Sequence, residues 1–249
     1  MIRAIMFDLD GTLVQTEKLF AEASAIVVQH LRNLPEPDPR AIEAYRETVG
    51  TLEDVASRHI IDRLGLDFDL RPLVVRYGVS ETWQVLLAMV KEIYEGMVAD
   101  PQVIRDNQWP HTVGLLRVAK DNHCQTALAT NSSRQEALQM LRALDLQQSL
   151  DLVLTREDVA HPKPDPEIYR VAAEKLEVPP EECLVIEDST NGVRAGVAAG
   201  MNVIAFATPF TTAGLHANQV LEHAWVVHDP ENLLEVVRER ITEHNRMVH

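Results

Sequence analysis

Cysteine is scarce. Cys124 and Cys183 are the only two in 249 residues, and their spacing fits neither a metal-ligand nor a redox motif. That excludes a disulfide-stapled scaffold and gives the expectation of a reduced, cytoplasmic protein. Long apolar runs are missing too. No stretch approaches a membrane span, and the N-terminus reads straight into a strand-like run, so neither a membrane segment nor a secretory signal is expected. Basic residues are few: 23 Lys and Arg stand against 38 Asp and Glu, a formal charge of −15. A nucleic-acid surface needs clustered Lys and Arg and is therefore not expected. The histidines show no zinc spacing; His216, His223 and His228 fall loosely and late, as surface residues do. There is no internal repeat and no low-complexity tract. What remains, 46% hydrophobic and 24% charged, is ordinary for a globular core with room for an insert.

Residues 2–16 are the most informative stretch. A short apolar run, Ala4 to Phe7, has the length of a buried strand. It ends in two carboxylates one residue apart, Asp8 and Asp10, followed by Gly11 and Thr12. Buried charge must be paired or bind a metal, and open α/β sheets bind ligands at the carboxyl ends of their strands. The pair therefore reads as a reaction centre. Its bland alternative is a turn in which the aspartates cap local N–H groups.

Helical spacing follows at Thr16–Leu31, about Arg40–Val49, Thr51–Leu64 and Ser80–Val98, with Pro35, Pro37 and Pro39 breaking the first pattern. Thr51 and Ser80 suit N-caps and Gly65 a C-terminal stop. Nothing strand-like stands out before about Asp100, so residues 16–100 read as a helical insert between residues 1–15 and 101–249. From Pro110 helix and strand alternate, with strands expected at Thr126–Ala129, Asp151–Leu154, Cys183–Ile186, Val203–Phe206 and Trp225–Val227. Helices fall between them near Thr112–Asp121, Arg134–Leu144, Pro166–Leu176 and Gly192–Ala199, and one more begins at Glu231. Repeated strand–helix units predict an α/β fold, a Rossmann-like parallel sheet with helices on both faces.

Four polar groupings close these strands or their loops: Asp8/Asp10, Thr130/Asn131, Lys163 in His161-Pro162-Lys163-Pro164, and Glu187/Asp188. A parallel sheet brings all of them to one edge. Carboxylates suit Mg²⁺, which prefers oxygen ligands and substrate phosphate. Thr130 and the backbone after it can donate to phosphate oxygens, although Thr130-Asn131-Ser132 also suits a helix N-cap. Lys163 and the metal answer the difficulty of bringing an anionic phosphate to so acidic a chain.

The motifs resemble those of the haloacid dehalogenase-like hydrolase superfamily. Asp8-Leu9-Asp10-Gly11-Thr12 is similar to its first motif, Thr130-Asn131 to its second, Lys163 to its third and Glu187-Asp188-Ser189 to its fourth. The last, with Asn191 and Gly192 following, resembles the branch of β-phosphoglucomutase and related sugar phosphatases. The resemblance implies that residues 16–100 form an α-helical cap and that the cofactor is Mg²⁺. Asp8 would be the nucleophile and Asp10 the general acid and base. Gly11, Thr130, Asn131 and Lys163 would bind phosphate, with Lys163 also catalytic. Asp8, the Asp10 carbonyl, Asp188 and Glu187, direct or through water, would hold the metal. An aspartate at position 10 favours phosphate esters over dehalogenation or phosphonate cleavage. The substrate would be a small phosphate ester such as a sugar phosphate, with Lys18, Arg46, Arg58 and Lys91 as candidates to hold its polar tail. A phosphohexose mutase is the alternative, weakened by Phe20 where a hinge histidine is expected and by Leu52 where an arginine is expected. A non-catalytic regulator that binds a phosphorylated metabolite is the second alternative. Monomer and homodimer both stay open.

Overall fold

The structure, a computed structural model, describes residues 1–121, 124–218, 220–222 and 225–247; His223 lies outside the described residues. The chain divides into two compact units, Met1–Gln15 with Ile104–His249 and Thr16–Val103.

The first unit holds a six-stranded parallel sheet. Its elements are β1 (Ala4–Phe7), and, after residues supplied by the second unit, a long alternation. The second unit contributes helices α1 (Thr16–Arg32), α2 (Pro39–Arg46), α3 (Glu53–Leu64), α4 (Asp67–Leu70), α5 (Val74–Tyr77) and α6 (Thr82–Val98). A short helix α7 (Pro101–Asp106) then leads back to α8 (Pro110–Asp121), β2 (Gln125–Ala129), α9 (Arg134–Ala143), β3 (Leu152–Leu154) and α10 (Glu167–Leu176). The chain closes with β4 (Cys183–Glu187), α11 (Thr190–Ala198), β5 (Asn202–Phe206), α12 (Thr212–Asn218), β6 (Val226–Val227) and α13 (Leu233–Met247). Strand order is β3-β2-β1-β4-β5-β6, every neighbouring pair parallel. β1, β4 and β5 are buried along their whole length. That is why they read as continuous apolar runs rather than alternating ones. Helices α10 and α11 pack together against β2 to β5, and α8 and α13 pack together against β1, β2 and β5. This is the expected Rossmann-like α/β arrangement, with helices on both faces.

β1 is the pivot. The chain moves from it to β2 and β3 on one side and then returns to β4 on the other, so the strand order reverses there. Such a reversal opens a crevice at the carboxyl ends of the strands. The segment after β1 is stitched to residue stretch 107–109. Gln15 N–H donates to Asn107 O at 2.8 Å and Trp109 N–H to Leu13 O at 2.8 Å.

In the second unit α1 packs on α2 and α6, and α3 packs on the same two helices. Asp38 caps α2 by accepting from Arg40 N–H, with Pro39 at the first helical position. Gly65 ends α3 at φ 65°, the left-handed turn a glycine adopts freely. Two expected caps are corrected. Thr51 spends its hydroxyl on Thr48 O, and Leu52 takes the cap position of α3 without a side-chain bond. Ser80 donates to Gln84 Oε1, while Glu81 caps α6 in a reciprocal box with Gln84. These four helices line a cavity of about 180 Å³ through residues such as Phe20, Ser24, Ser57, Leu86 and Val90, and no Lys, Arg or His lines it. Among the described residues no helix is long and apolar enough to cross a membrane.

Candidate active site

Strand register sets the geometry. Phe7 pairs with Ile186 and with Leu128. The next residue on β1, Asp8, therefore stands beside Glu187 on one side and Ala129, then Thr130, on the other. The Asp8 N–H bonds to Ile186 O at 3.1 Å and the Thr130 N–H to Leu154 O at 3.1 Å, so the ladder holds both strand ends.

Lys163 enters this line from the loop before α10. It is buried, and its ammonium makes three bonds: to Asp8 Oδ1 at 2.7 Å, Ala129 O at 2.7 Å and Glu187 Oε1 at 2.6 Å. A lysine ammonium has three donors, and all three are used. Asn131 clips the same loop from below: its Oδ1 accepts from Lys163 N–H at 3.0 Å and its Nδ2 donates to Lys163 O at 3.3 Å. The side chain expected to bind phosphate thus bonds the lysine's backbone.

Glu187 is wholly buried. Its Oε1 is shared by Lys163 and by the Tyr169 hydroxyl at 3.0 Å. Its Oε2 accepts from the N–H groups of Asp188 and Ser189, both at 3.1 Å, and from Ser189 Oγ at 3.0 Å. Asp188, also buried, accepts from Thr12 Oγ1 at 3.4 Å. Gly11, at φ 75°, lies so close that a Cβ there would sit 2.0 Å from Asp188 Oδ2. Only glycine supplies both the backbone angle and the space.

Asp10 is half-buried on the other side of the turn. Its Oδ2 accepts from Ser132 Oγ and, more weakly, from Thr130 Oγ1 at 3.4 Å. Thr130 Oγ1 also accepts from Ser132 N–H at 3.0 Å. Ser132 was not among the residues expected in the site. The signal was available, because it belongs to the same polar strand end as Thr130 and Asn131. Tyr169 was missed for a different reason: on α10 it reads as one more apolar helix position.

The electrostatics follow from burial and crowding. Burial pushes the Asp8 carboxyl well above the usual carboxylate range, Glu187 and Asp10 push it further, and Lys163 pulls it back. Burial alone would lower the Lys163 ammonium, but Asp8 and Glu187 more than offset this and hold it well above its ordinary value. Oxygen atoms of Asp8, Glu187 and Asp188 lie within 4.8 Å of one another. An all-carboxylate donor set with one ammonium for balance fits a hard divalent cation. Among the described residues no histidine joins such a group. His216 and His228 are exposed and stack on each other at 4.9 Å.

The four cations proposed to hold a substrate tail are each paired in the second unit. Lys18 lies 3.8 Å from Glu22, Arg46 3.0 Å from Glu43, Arg58 2.6 Å from Glu81 and Lys91 2.8 Å from Glu53.

A doubly-wound parallel sheet carrying an aspartate pair, a buried lysine and an acidic strand end defines a class of hydrolase. The profile of the haloacid dehalogenase-like hydrolases matches residues 2–200, and the chain belongs to that family. Its relatives include phosphatases, and a putative β-phosphoglucomutase from Thermotoga maritima is a similar solved structure, with a TM-score of 0.68 and 28% identity, covering 95% of this chain and 99% of that one. A phosphorylated carbohydrates phosphatase of Thermotoga maritima is 29% identical over 240 residues, 96% of this chain and 99% of the relative. The fructose-1-phosphate phosphatase YqaB of Escherichia coli is 25% identical over 212 residues, 80% of this chain and 94% of the relative. Among solved structures, CbbY from Rhodobacter sphaeroides in complex with phosphate is similar with a TM-score of 0.56 and 27% identity, covering 85% of this chain and 88% of that one.

Proposed function

We propose that the protein is a Mg²⁺-dependent phosphatase that hydrolyses a small phosphomonoester, a sugar phosphate or similar metabolite, through an aspartyl-phosphate on Asp8. The observation that carries this reading is the meeting of Asp8, Lys163 and the Glu187-Asp188 strand end at one sheet edge, from positions up to 180 residues apart in the chain. The Thermotoga and Escherichia relatives act on phosphorylated carbohydrates, which supports the substrate class.

Asp8 Oδ attacks phosphorus and the bond to the ester oxygen breaks. Asp10, turned by Ser132 and Thr130, gives its proton to the departing alkoxide and releases the alcohol. It then takes a proton from water as that water attacks the aspartyl-phosphate, which frees inorganic phosphate and restores Asp8. Lys163, with Gly11 and the backbone around Thr130 and Asn131, offsets the negative charge that gathers on the phosphoryl oxygens. Asp8, the Asp10 carbonyl and Asp188 would hold Mg²⁺, with Glu187 reaching it directly or through water. When bound, the ion favours the ionised form of Asp8 and neutralises phosphate charge. The helical unit of residues 16–100 serves as the cap, and the reaction is placed in the cytoplasm, in keeping with two free cysteines.

Hydrolysis is favoured over the mutase reaction by two residues. Phe20 is stacked on Tyr94 at 4.0 Å and on Tyr45 at 6.5 Å, and it carries no group that moves a proton. Leu52 is 73% exposed and offers no charge to a second phosphate. The test is phosphate release from a panel of sugar and small-acid phosphates, with and without Mg²⁺, for wild type and Asp8→Asn. Sugar 1-phosphate to 6-phosphate conversion is measured on the same samples. Mg²⁺-dependent release that Asp8→Asn abolishes is expected; isomerised sugar phosphate with little free phosphate would give the site to the mutase.

A further inference from the structure

The Lys163 ammonium and the Glu187 carboxylate share a third residue that neither the motifs nor the relatives assign. Tyr169 is completely buried on the first turn of α10. Its hydroxyl donates to Glu187 Oε1 at 3.0 Å, the same oxygen that accepts from Lys163 Nζ at 2.6 Å. Its ring passes beneath the ammonium, with Nζ 4.9 Å from the ring centroid. One side chain therefore touches both members of the ion pair, one through its hydroxyl and the other through its π face.

From this geometry we propose that Tyr169 is a positioning residue that fixes the Lys163 ammonium between Asp8 and Glu187. The inference rests on the reading of Asp8 and Lys163 given above. Glu187 Oε2 is fixed by three donors from the strand end, two backbone N–H groups and the Ser189 hydroxyl. Among the described residues, Oε1 has the two donors Lys163 and Tyr169. Without the phenol, nothing but the ammonium holds Oε1, and the carboxylate draws the ammonium from Asp8 toward itself. Without the ring, the ammonium also loses the face that supports it from below. The lysine has no slack to absorb either change, because its three hydrogens are already committed. Tyr169 bonds Glu187 and faces the Lys163 ammonium, so its effect on turnover passes through Lys163.

The test uses the full chain loaded with Mg²⁺, and whichever phosphate ester the panel above finds active. Tyr169→Phe keeps the ring and removes the hydroxyl; Tyr169→Leu removes both. Tyr169→Phe is expected to lower kcat about 5-fold to 10-fold with KM within about 2-fold, and Tyr169→Leu to lower kcat several-fold further. The same Tyr169→Phe change is then made in a Lys163→Arg background. There its effect on kcat is expected to shrink to less than about 2-fold, because the ammonium it positions is gone. A Tyr169→Phe protein with wild-type kcat overturns the inference, as does an equal loss in both backgrounds, which marks a merely structural role. If Lys163→Arg does not fold, Tyr169→Phe against Glu187→Gln supplies the same cycle. Asp8→Asn on the same substrate separates the two levels of failure. Turnover that survives in Asp8→Asn removes the parent reading and the inference with it. Turnover lost in Asp8→Asn but unchanged in Tyr169→Phe removes the inference alone.

Discussion

A Cβ placed on Gly192 would lie 1.7 Å from Glu187 Oε1. Helix α11 therefore begins in contact with the carboxylate that receives Lys163, and Ser189 caps that helix by accepting from Gly192 N–H at 3.0 Å. The glycine is required by space, not by backbone angle. Gly192→Ala is expected to displace Glu187, to cost about 1–3 kcal/mol of stability as an overpacked site does, and to lower kcat at least about tenfold. Urea unfolding and steady-state kinetics on one preparation check both. An alanine variant with wild-type kcat would mean that Glu187 can move without disturbing Lys163.

Asp8 is expected to be costly to the resting protein. Its carboxyl sits well above the usual range because it is buried beside Glu187 and Asp10. For an acid raised in the folded state, stability is lost as pH rises through the folded value, so ionisation of Asp8 destabilises the metal-free protein. Asp8→Asn should then melt about 2–4 °C higher without metal, show a smaller rise on adding Mg²⁺, and lose turnover by about a thousandfold or more. Thermal melts with and without Mg²⁺ check the first two. A lower melting temperature would mean that the bond to Lys163 outweighs the crowding.

Ser132 Oγ bonds Asp10 Oδ2, an oxygen of the carboxyl proposed to transfer the proton. Ser132→Ala is expected to slow the first step, phosphoryl transfer to Asp8 measured in a single turnover, roughly 3-fold to 10-fold on alkyl phosphates, where the leaving group needs a proton, and to do less on p-nitrophenyl phosphate, where it does not. Comparing the two substrates checks this; equal losses on both would remove the orienting role.

Acid should unfold the protein through carboxylates outside the site. Hydrogen bonds from Arg40 hold Asp38 below its ordinary value. For Asp151 and Asp158 burial acts upward, but Lys120 and Thr126 on one and Thr155 and Arg134 on the other pull them below it. A depressed acid contributes stability that is complete above the unfolded pKa, about 3.9, and is lost as pH falls through the folded value. Urea midpoints should therefore drop steeply below about pH 4, and less steeply in an Asp38→Asn, Asp151→Asn, Asp158→Asn variant. An unchanged slope would place the acid sensitivity elsewhere.

The fold was legible because β1, β4 and β5 are buried on both faces and read as plain apolar runs between helices. The candidate residues Asp8 and Glu187-Asp188 were legible as polar residues standing where β1 and β4 stop, and Lys163 as a lysine between two prolines in the loop before α10. Less could be read where signals are short or local donors compete. α4, α5 and α7 span one turn or little more, too few residues for helical periodicity to register. Thr51 and Ser80 look like caps, yet each hydroxyl finds a nearer partner. Tyr169 gave no sign at all, since a helix position facing the core is apolar by pattern whether or not its hydroxyl meets a carboxylate.

The most direct test separates the two steps assigned to Asp8 and Asp10. p-Nitrophenolate leaves without a proton, so Asp10→Asn should still form the aspartyl-phosphate from p-nitrophenyl phosphate but fail to hydrolyse it. Rapid mixing of Mg²⁺-loaded Asp10→Asn is expected to release one p-nitrophenolate per site in a burst, followed by a slow phase, and acid quench with peptide mapping should find the phosphoryl group on Asp8. Linear release with no burst, or a phosphoryl group on any other residue, would contradict the account.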